Sequence, residues 1–272
     1  MREMDITEQE FQQLVEFMHG RYGIDLAKKK KLIVGRLQNY LVRSSFNSFS
    51  EYYDYVVNDK NGDAITVLLN KLTTNHTYFL REKEHFDFFR DTVVPHILGT
   101  EKSKDMRIWS AGCSSGEEAY TIAMILDDNF GSRLEGWDTK ILATDISERV
   151  LRIGTEGRYL TENLDILPDN WKNKYFNKRD GNYSQISERL RTQMIYRKFN
   201  LMETRFPFKK KFHIIWCRNV MIYFDAQTRN NLIEKFYDCV EPGGYLFIGH
   251  SESVSKGETR FQYVMPAIYR KE

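Results

Sequence analysis

The chain has 272 residues, 41% hydrophobic and 14% aromatic, ample for a packed core in one large domain or a small plus a medium one. A net charge of +2 argues against a generic nucleic-acid binder while leaving local basic patches open, and three dispersed cysteines (Cys113, Cys217, Cys239) argue against a disulfide framework or zinc knuckle. The polar start, MREMDITEQE, is no secretory signal and no apolar run approaches the ~20 residues of a membrane helix, so a soluble, cytoplasmic protein in a reducing compartment is expected.

Up to about residue 80 the pattern is helical. Thr7 and Glu10 form a capping box ahead of Phe11, Leu14, Val15 and Met18 at helical spacing, with Gly23 as the stop. A second helix is expected from Lys28 to Arg43, with Ile33, Leu37 and Leu41 along one stripe. Ser48 and Glu51 make another capping box before Tyr52, Tyr55 and Val56, and a fourth helix covers Ala64 to Leu72. No strand pattern interrupts them, which gives a small all-helical N-terminal domain.

After about residue 104 the texture alternates. Strand-length apolar runs fall at 107–111, 140–144, 212–217 and 245–249, separated by helical stretches at 116–126, 148–153 and 226–239. Such alternation implies a mostly parallel sheet with helices on both faces. Glu241-Pro242-Gly243-Gly244 reads as a tight turn before the last of these strands. The polar stretch from about Gly157 to Lys198 fits poorly, and its Asp180-Gly181-Asn182 suggests a small hairpin-containing insertion.

Chemistry concentrates at the strand ends, where open α/β sheets bind ligands. The segment from Met106 to Glu118 is a strand, a small-residue turn (Gly112-Cys113-Ser114-Ser115-Gly116) and a helix start, a nucleotide-type pocket whose small residues let a ligand approach the backbone. A phosphate there would want a Lys or Arg, and Glu117 and Glu118 would repel it. The ligand is thus nucleoside-like without phosphate and carries hydroxyls or positive charge, a description that S-adenosylmethionine meets. Asp145, closing the strand Ile141–Thr144, suits a pair of ribose hydroxyls; the alternative is a cap on the next helix, with Ser147. Asn200-Leu201 follow a strand-like Met194–Phe199, with an Asx turn as the alternative for Asn200, and Arg218-Asn219 follow Ile214–Cys217.

Three segments together resemble the chemotaxis receptor methyltransferases, the CheR family: Thr73-Thr74-Asn75-His76-Thr77-Tyr78-Phe79-Leu80-Arg81-Glu82, Trp109–Glu118, and Cys217-Arg218-Asn219-Val220-Met221-Ile222-Tyr223-Phe224-Asp225. Gly249-His250-Ser251-Glu252 is similar to the family as well, and the likeness spans nearly the whole chain. It implies an α/β, Rossmann-like S-adenosylmethionine-dependent methyltransferase domain over 81–272, with a small antiparallel insertion at about 157–198, behind a helical domain plus linker over 1–80. The activity implied is methyl transfer to glutamate side chains on the cytoplasmic helices of chemoreceptors. By position, the resemblance implies cofactor contacts from Asn75, Thr77, Arg81, Glu118, Asp145, Asn200, Leu201, Arg218 and Asn219, with the Asn75–Arg81 linker folding back over the pocket. Without the resemblance, Asn75 reads as a helix N-cap. Ala119 replaces a usual proline and Leu80 a common second phenylalanine, apolar changes that remove no chemical group.

The chemistry asks for little acid or base. A glutamate, with a reference pKa of about 4.3, is already a carboxylate nucleophile at neutral pH. Arg81 therefore reads as an orienting group, and Tyr223 as a hydrogen-bond donor or pocket-closing residue, with an aromatic plug as its alternative. The six histidines show no HExxH or paired spacing, so no metal is expected. Lys29, Arg36 and Arg43, seven residues apart, with Lys28, Lys30 and Lys31, give the second helix a basic edge. The resemblance implies that receptor helices lie against it; the alternative is a solvated face. In some family members the insertion grips a receptor tail. The rival functions are another acceptor such as RNA, and a non-catalytic module that senses the cofactor.

Overall fold

The computed structural model describes residues 4–74, 76–178, 181–254, 257 and 259–272. The chain divides into two units, one comprising Met1–Asn75, Asn200–Met202 and Tyr223–Arg229, the other His76–Phe199, Glu203–Ile222 and Asn230–Glu272.

In the first unit, α1 (Glu8–Tyr22) starts at a closed capping box: the Glu10 amide donates to Thr7 Oγ1 and the Thr7 amide to Glu10 Oε2. It stops at Gly23, whose φ of 71° is left-handed; a Cβ there would stand 2.4 Å from Met202 Sδ. The second helix, α2 (Lys30–Arg43), begins two residues later than expected and buries Ile33, Leu37 and Leu41. α3 (Phe49–Asn58) is capped by Ser48, but the Glu51 carboxylate turns to the Asn47 amide instead of closing the box. α4 (Asp63–Leu72) receives Arg36 at its C-terminus, where the guanidinium donates to the carbonyls of Lys71 and Leu72 and to Thr74 Oγ1. Arg36 is therefore a helix cap and drops out of the expected basic edge, and Lys30 pairs with Glu8. Lys28, Lys31 and Arg43 are exposed.

The second unit opens with α5 (Lys83–Phe88), which runs through a π turn (Phe89–Val93) into α6 (Val94–Thr100). Then follow β1 (Ile108–Ala111), α7 (Glu117–Phe130), β2 (Ile141–Asp145) and α8 (Glu148–Glu156). A small antiparallel sheet, ordered β3-β5-β4, is formed by β3 (Arg158–Leu160), β4 (Phe176–Lys178) and β5 (Tyr183–Ile186), with α9 (Asp169–Tyr175) and α10 (Glu188–Arg191) beside it in sequence. Asp180 of the expected hairpin turn lies outside the described residues. The chain continues through β6 (Met194–Lys198), β7 (Phe212–Cys217), α11 (Ala226–Cys239), β8 (Val240–Ile248), β9 (Gln262–Met265) and β10 (Ile268–Arg270).

The main sheet has the order β6-β2-β1-β7-β8-β10-β9. Its first five strands are parallel; β10 runs antiparallel to β8, and β9, antiparallel to β10, turns back to the common direction. Since β6 pairs with β2, the segment outside the sheet narrows to about residues 158–191 from the expected 157–198. β1 and β7 are buried along their whole length, as central parallel strands are. Trp109 and Trp216 lie on opposite faces, because Trp216 is in register with Ser110. Phe236 of α11 packs on Trp109, while Phe86 and Phe89 pack on Trp216, so helices cover both faces. The expected turn at Glu241–Gly244 is instead an irregular stretch inside β8: Phe212 pairs with Val240, yet Ile214 pairs with Tyr245. Gly243, at φ 81°, takes the bend that an unbroken ladder refuses. Among the described residues, no helix is long and apolar enough to cross a membrane.

Candidate active site

The strand order reverses at β1. From β1 the chain steps to β2 on one side and later to β7 on the other, which leaves a crevice beyond the carboxyl ends of these strands. Four polar segments of the second unit converge there: the Gly112–Glu118 turn, Asp145, Arg218-Asn219 and Gly249–Glu252.

The β1 turn is shaped by neighbouring side chains. A Cβ on Gly112 (φ 87°) would fall 2.3 Å from Val220 Cγ2, and one on Gly116 would meet the Tyr196 hydroxyl at 2.3 Å. The Cβ position of both glycines is thus filled by protein, which keeps a side chain out of the turn. Asp145 stitches the turn to β2, since the amides of Ser114 and Ser147 donate to its two oxygens at 2.9 Å each. Its carboxyl is pushed up by burial, against these two donors. It anchors the start of α8, the alternative reading of Asp145, and a carboxylate with two such donors has lone pairs to spare.

The acids differ in their duties. Glu117 is buried and takes the Ser115 hydroxyl on both oxygens, closing the turn on itself. Glu118 receives Ser110 Oγ at 2.7 Å and Arg218 Nη1 at 3.2 Å. Burial pushes its carboxyl up, opposed by Arg218 and Ser110.

Arg218 is the hub. Its side chain is 2% exposed and lies over the rings of Phe86 and Trp216. Nε and Nη2 donate to Glu82 Oε2 at 3.3 and 3.0 Å, and Nη2 also reaches the Arg81 carbonyl. Glu82 further accepts from Asn219 Nδ2 at 3.2 Å and from the His250 amide at 3.3 Å. Burial alone would raise this carboxyl, and the Arg218 charge with these donors holds it below its ordinary value. Glu252, also buried, accepts the amides of Gly249, Asn219 and Ile222 at 2.5, 2.9 and 3.2 Å. A Cβ on Gly249 would stand 2.5 Å from Asn219 Nδ2, which is why that position has no side chain. Leu80, Glu82, Ser114 and Asn219 all hold left-handed φ of 49–60°. Each such non-glycine residue costs about 1–3 kcal/mol, a local strain that concentrates around this crevice.

The remaining expected residues fall as follows. Arg81 is half-buried and donates to the His76 carbonyl at 2.6 Å. Thr77 is half-buried in the same segment, and Phe79 behind it is buried against Tyr159 and Phe176. Asn75 lies outside the described residues. Asn200, Leu201 and Tyr223 belong to the first unit. The Asn200 amide donates to the Arg21 carbonyl and accepts from the Met202 amide, an Asx turn as its alternative reading had it. The Tyr223 hydroxyl accepts the Thr74 amide at 2.8 Å and donates to the Thr74 carbonyl at 3.1 Å. Glu82, Glu252 and Ser110 were not singled out from sequence. Both glutamates stood inside quoted motifs, but nothing local said what they face.

The donor set suits one kind of ligand. Carboxylates at the ends of β1 and β2, with the guanidinium already engaged by Glu82 and Glu118, fit hydroxyls and positive charge and leave no phosphate cradle.

Residues 75–269 match the family described as "CheR methyltransferase, SAM binding domain", and residues 9–73 the one described as "CheR methyltransferase, all-alpha domain". Curated relatives agree over nearly full length. A chemotaxis protein methyltransferase of Borreliella burgdorferi is 43% identical, over 98% of this chain and 96% of its own. One from Vibrio cholerae is 34% identical over 94% and 89%, and one from Escherichia coli 31% over 97% and 91%.

Proposed function

The chain belongs to the CheR methyltransferase family, and from that membership we propose that it methylates glutamate side chains on the helical cytoplasmic regions of chemoreceptors. The observation that carries the chemistry is the carboxylate-lined crevice at the switch point, with Asp145, Glu118 and Arg218 at adjacent strand ends.

When bound, S-adenosylmethionine supplies an electrophilic methyl on a cationic sulfur. Asp145 would hold the ribose hydroxyls, and Glu118, Arg218, Asn219, Arg81, Thr77, Asn75, Asn200 and Leu201 would supply the other cofactor contacts. The acceptor glutamate is ionised at neutral pH, so no side chain of this protein needs to act as a base. The work left to the protein is alignment and exclusion of water, because the reaction consumes one negative and one positive charge. Tyr223 donates a hydrogen bond at the acceptor, giving up its present one to Thr74. On the helical unit, Lys28, Lys31 and Arg43 steer acidic receptor helices in a salt-dependent way.

The test is incubation with methyl-labelled S-adenosylmethionine and a receptor cytoplasmic fragment, followed by mild base. Volatile labelled methanol from receptor glutamates is the expected result. Base-stable label would mean nitrogen or carbon acceptors, and no label across a receptor panel, with the cofactor still binding, would make the protein a sensor.

A further inference from the structure

The end of α1 and the residues after it hold the stretch that carries Tyr223, all within the first unit. Ile24 pairs with Phe224 in an isolated antiparallel bridge, and the Asp25 amide donates to the Tyr223 carbonyl at 2.8 Å. Gly23 sits so close that a Cβ on it would stand 3.0 Å from Thr228 Cγ2. His19, in the last turn of α1, brings Nε2 to 2.5 Å from Asp225 Oδ2, while the Thr228 amide donates to Asp225 Oδ1 at 2.8 Å. The Thr228 amide, with His19, holds the Asp225 carboxyl below its ordinary value, so it accepts and His19 Nε2–H donates. The His19 and Asp225 side chains are 49% and 32% exposed, and a tie between such exposed groups adds little to stability. Its effect is on direction. The Tyr223 hydroxyl is engaged by Thr74 and has to change partners to serve an acceptor. A side chain that changes partners needs a backbone that stays in place.

We propose, resting on the reading of Tyr223 as the hydrogen-bond donor at the acceptor, that His19 is a positioning residue for methyl transfer. It acts through Asp225, two residues beyond Tyr223, and fixes the backbone from which the Tyr223 hydroxyl swings. The helical unit then has two duties, docking the receptor helix and setting the one hydroxyl that meets its glutamate.

The experiment compares the full chain with His19→Ala, His19→Gln, Tyr223→Phe and the double variant His19→Ala with Tyr223→Phe. Receptor methylation gives kcat, calorimetry gives S-adenosylmethionine affinity, and urea unfolding gives stability. His19→Ala should lower kcat about tenfold, inside the roughly hundredfold that a misplacement of about 1 Å can cost, with affinity and stability nearly unchanged. Gln presents an amide N–H near the place of Nε2, so His19→Gln should restore most of the rate. In the Tyr223→Phe background, His19→Ala should cost nothing further, because the hydroxyl it positions is gone. An unchanged kcat in His19→Ala, a Gln variant as slow as Ala, or losses that multiply in the double variant would overturn the proposal. So would a loss of rate in His19→Ala that follows a loss of stability. A Tyr223→Phe variant of full kcat overturns the reading of Tyr223 itself, and this proposal with it.

Discussion

At the residue scale, the crevice is a set of side chains that each carry two jobs. Asp145 holds the β1 turn and α8 together with lone pairs to spare. Asp145→Ala should weaken cofactor binding by about 1–3 kcal/mol, the range for hydrogen bonds to a charged group; unchanged affinity by calorimetry would remove the ribose role. Tyr223 is tied at its hydroxyl to Thr74. Tyr223→Phe should lower turnover more than cofactor affinity, and equal losses in both would make the ring structural. Asp145 was legible in sequence because a strand end and an acid lie side by side. Glu82 was not, because its guanidinium partner is 136 residues away and no local pattern encodes that meeting.

At the element scale, helices with side-chain signals at their own ends were the readable ones. The α1 capping box spans four consecutive positions and formed as expected. By contrast, α5 starts from Glu82 in a left-handed conformation with no side-chain cap, so nothing in the sequence announced it. β9 and β10 are only four and three residues long, and their first strand is mostly exposed, so no burial alternation marks them. The α2 surface shows the opposite error. Counting cations along a helix line included Arg36, whose partners are carbonyls at the end of α4. Arg36→Ala should therefore lower the stability of the helical unit by about 1–3 kcal/mol in chemical denaturation. A variant of normal stability that methylates receptors slowly would return Arg36 to the docking surface.

For the whole molecule, one buried ring contributes to acid sensitivity. His85 is fully buried, and its pKa is pushed down to about 3, first by burial and then by the Arg218 charge, against the pull of Glu82. In the unfolded chain a histidine titrates near 6.5. Between about pH 6.5 and pH 3 the unfolded chain takes up a proton that the folded chain refuses, so stability falls as pH falls through that window. The contribution approaches tenfold in the folding constant per pH unit. Urea unfolding at pH 7, 6 and 5 should show a flatter dependence for His85→Gln, or for His85→Asn if the first variant folds poorly. Matching slopes in the unaltered and substituted proteins would assign the acid sensitivity to other groups.

The link from Glu82 to Arg218, Asn219 and His250 also orders events during synthesis. A chain emerging from the ribosome delivers Glu82 with α5 long before β7 and β8 exist to receive it. The helices of the first unit and the β1–α7–β2 segment can begin to fold in that interval, but the carboxylates of the crevice then face no guanidinium. On the proposed reading of this crevice as the cofactor pocket, affinity is acquired late, when the last strands close. On that reading a translation product halted before Glu252 would have no claim on the cell's methyl donor.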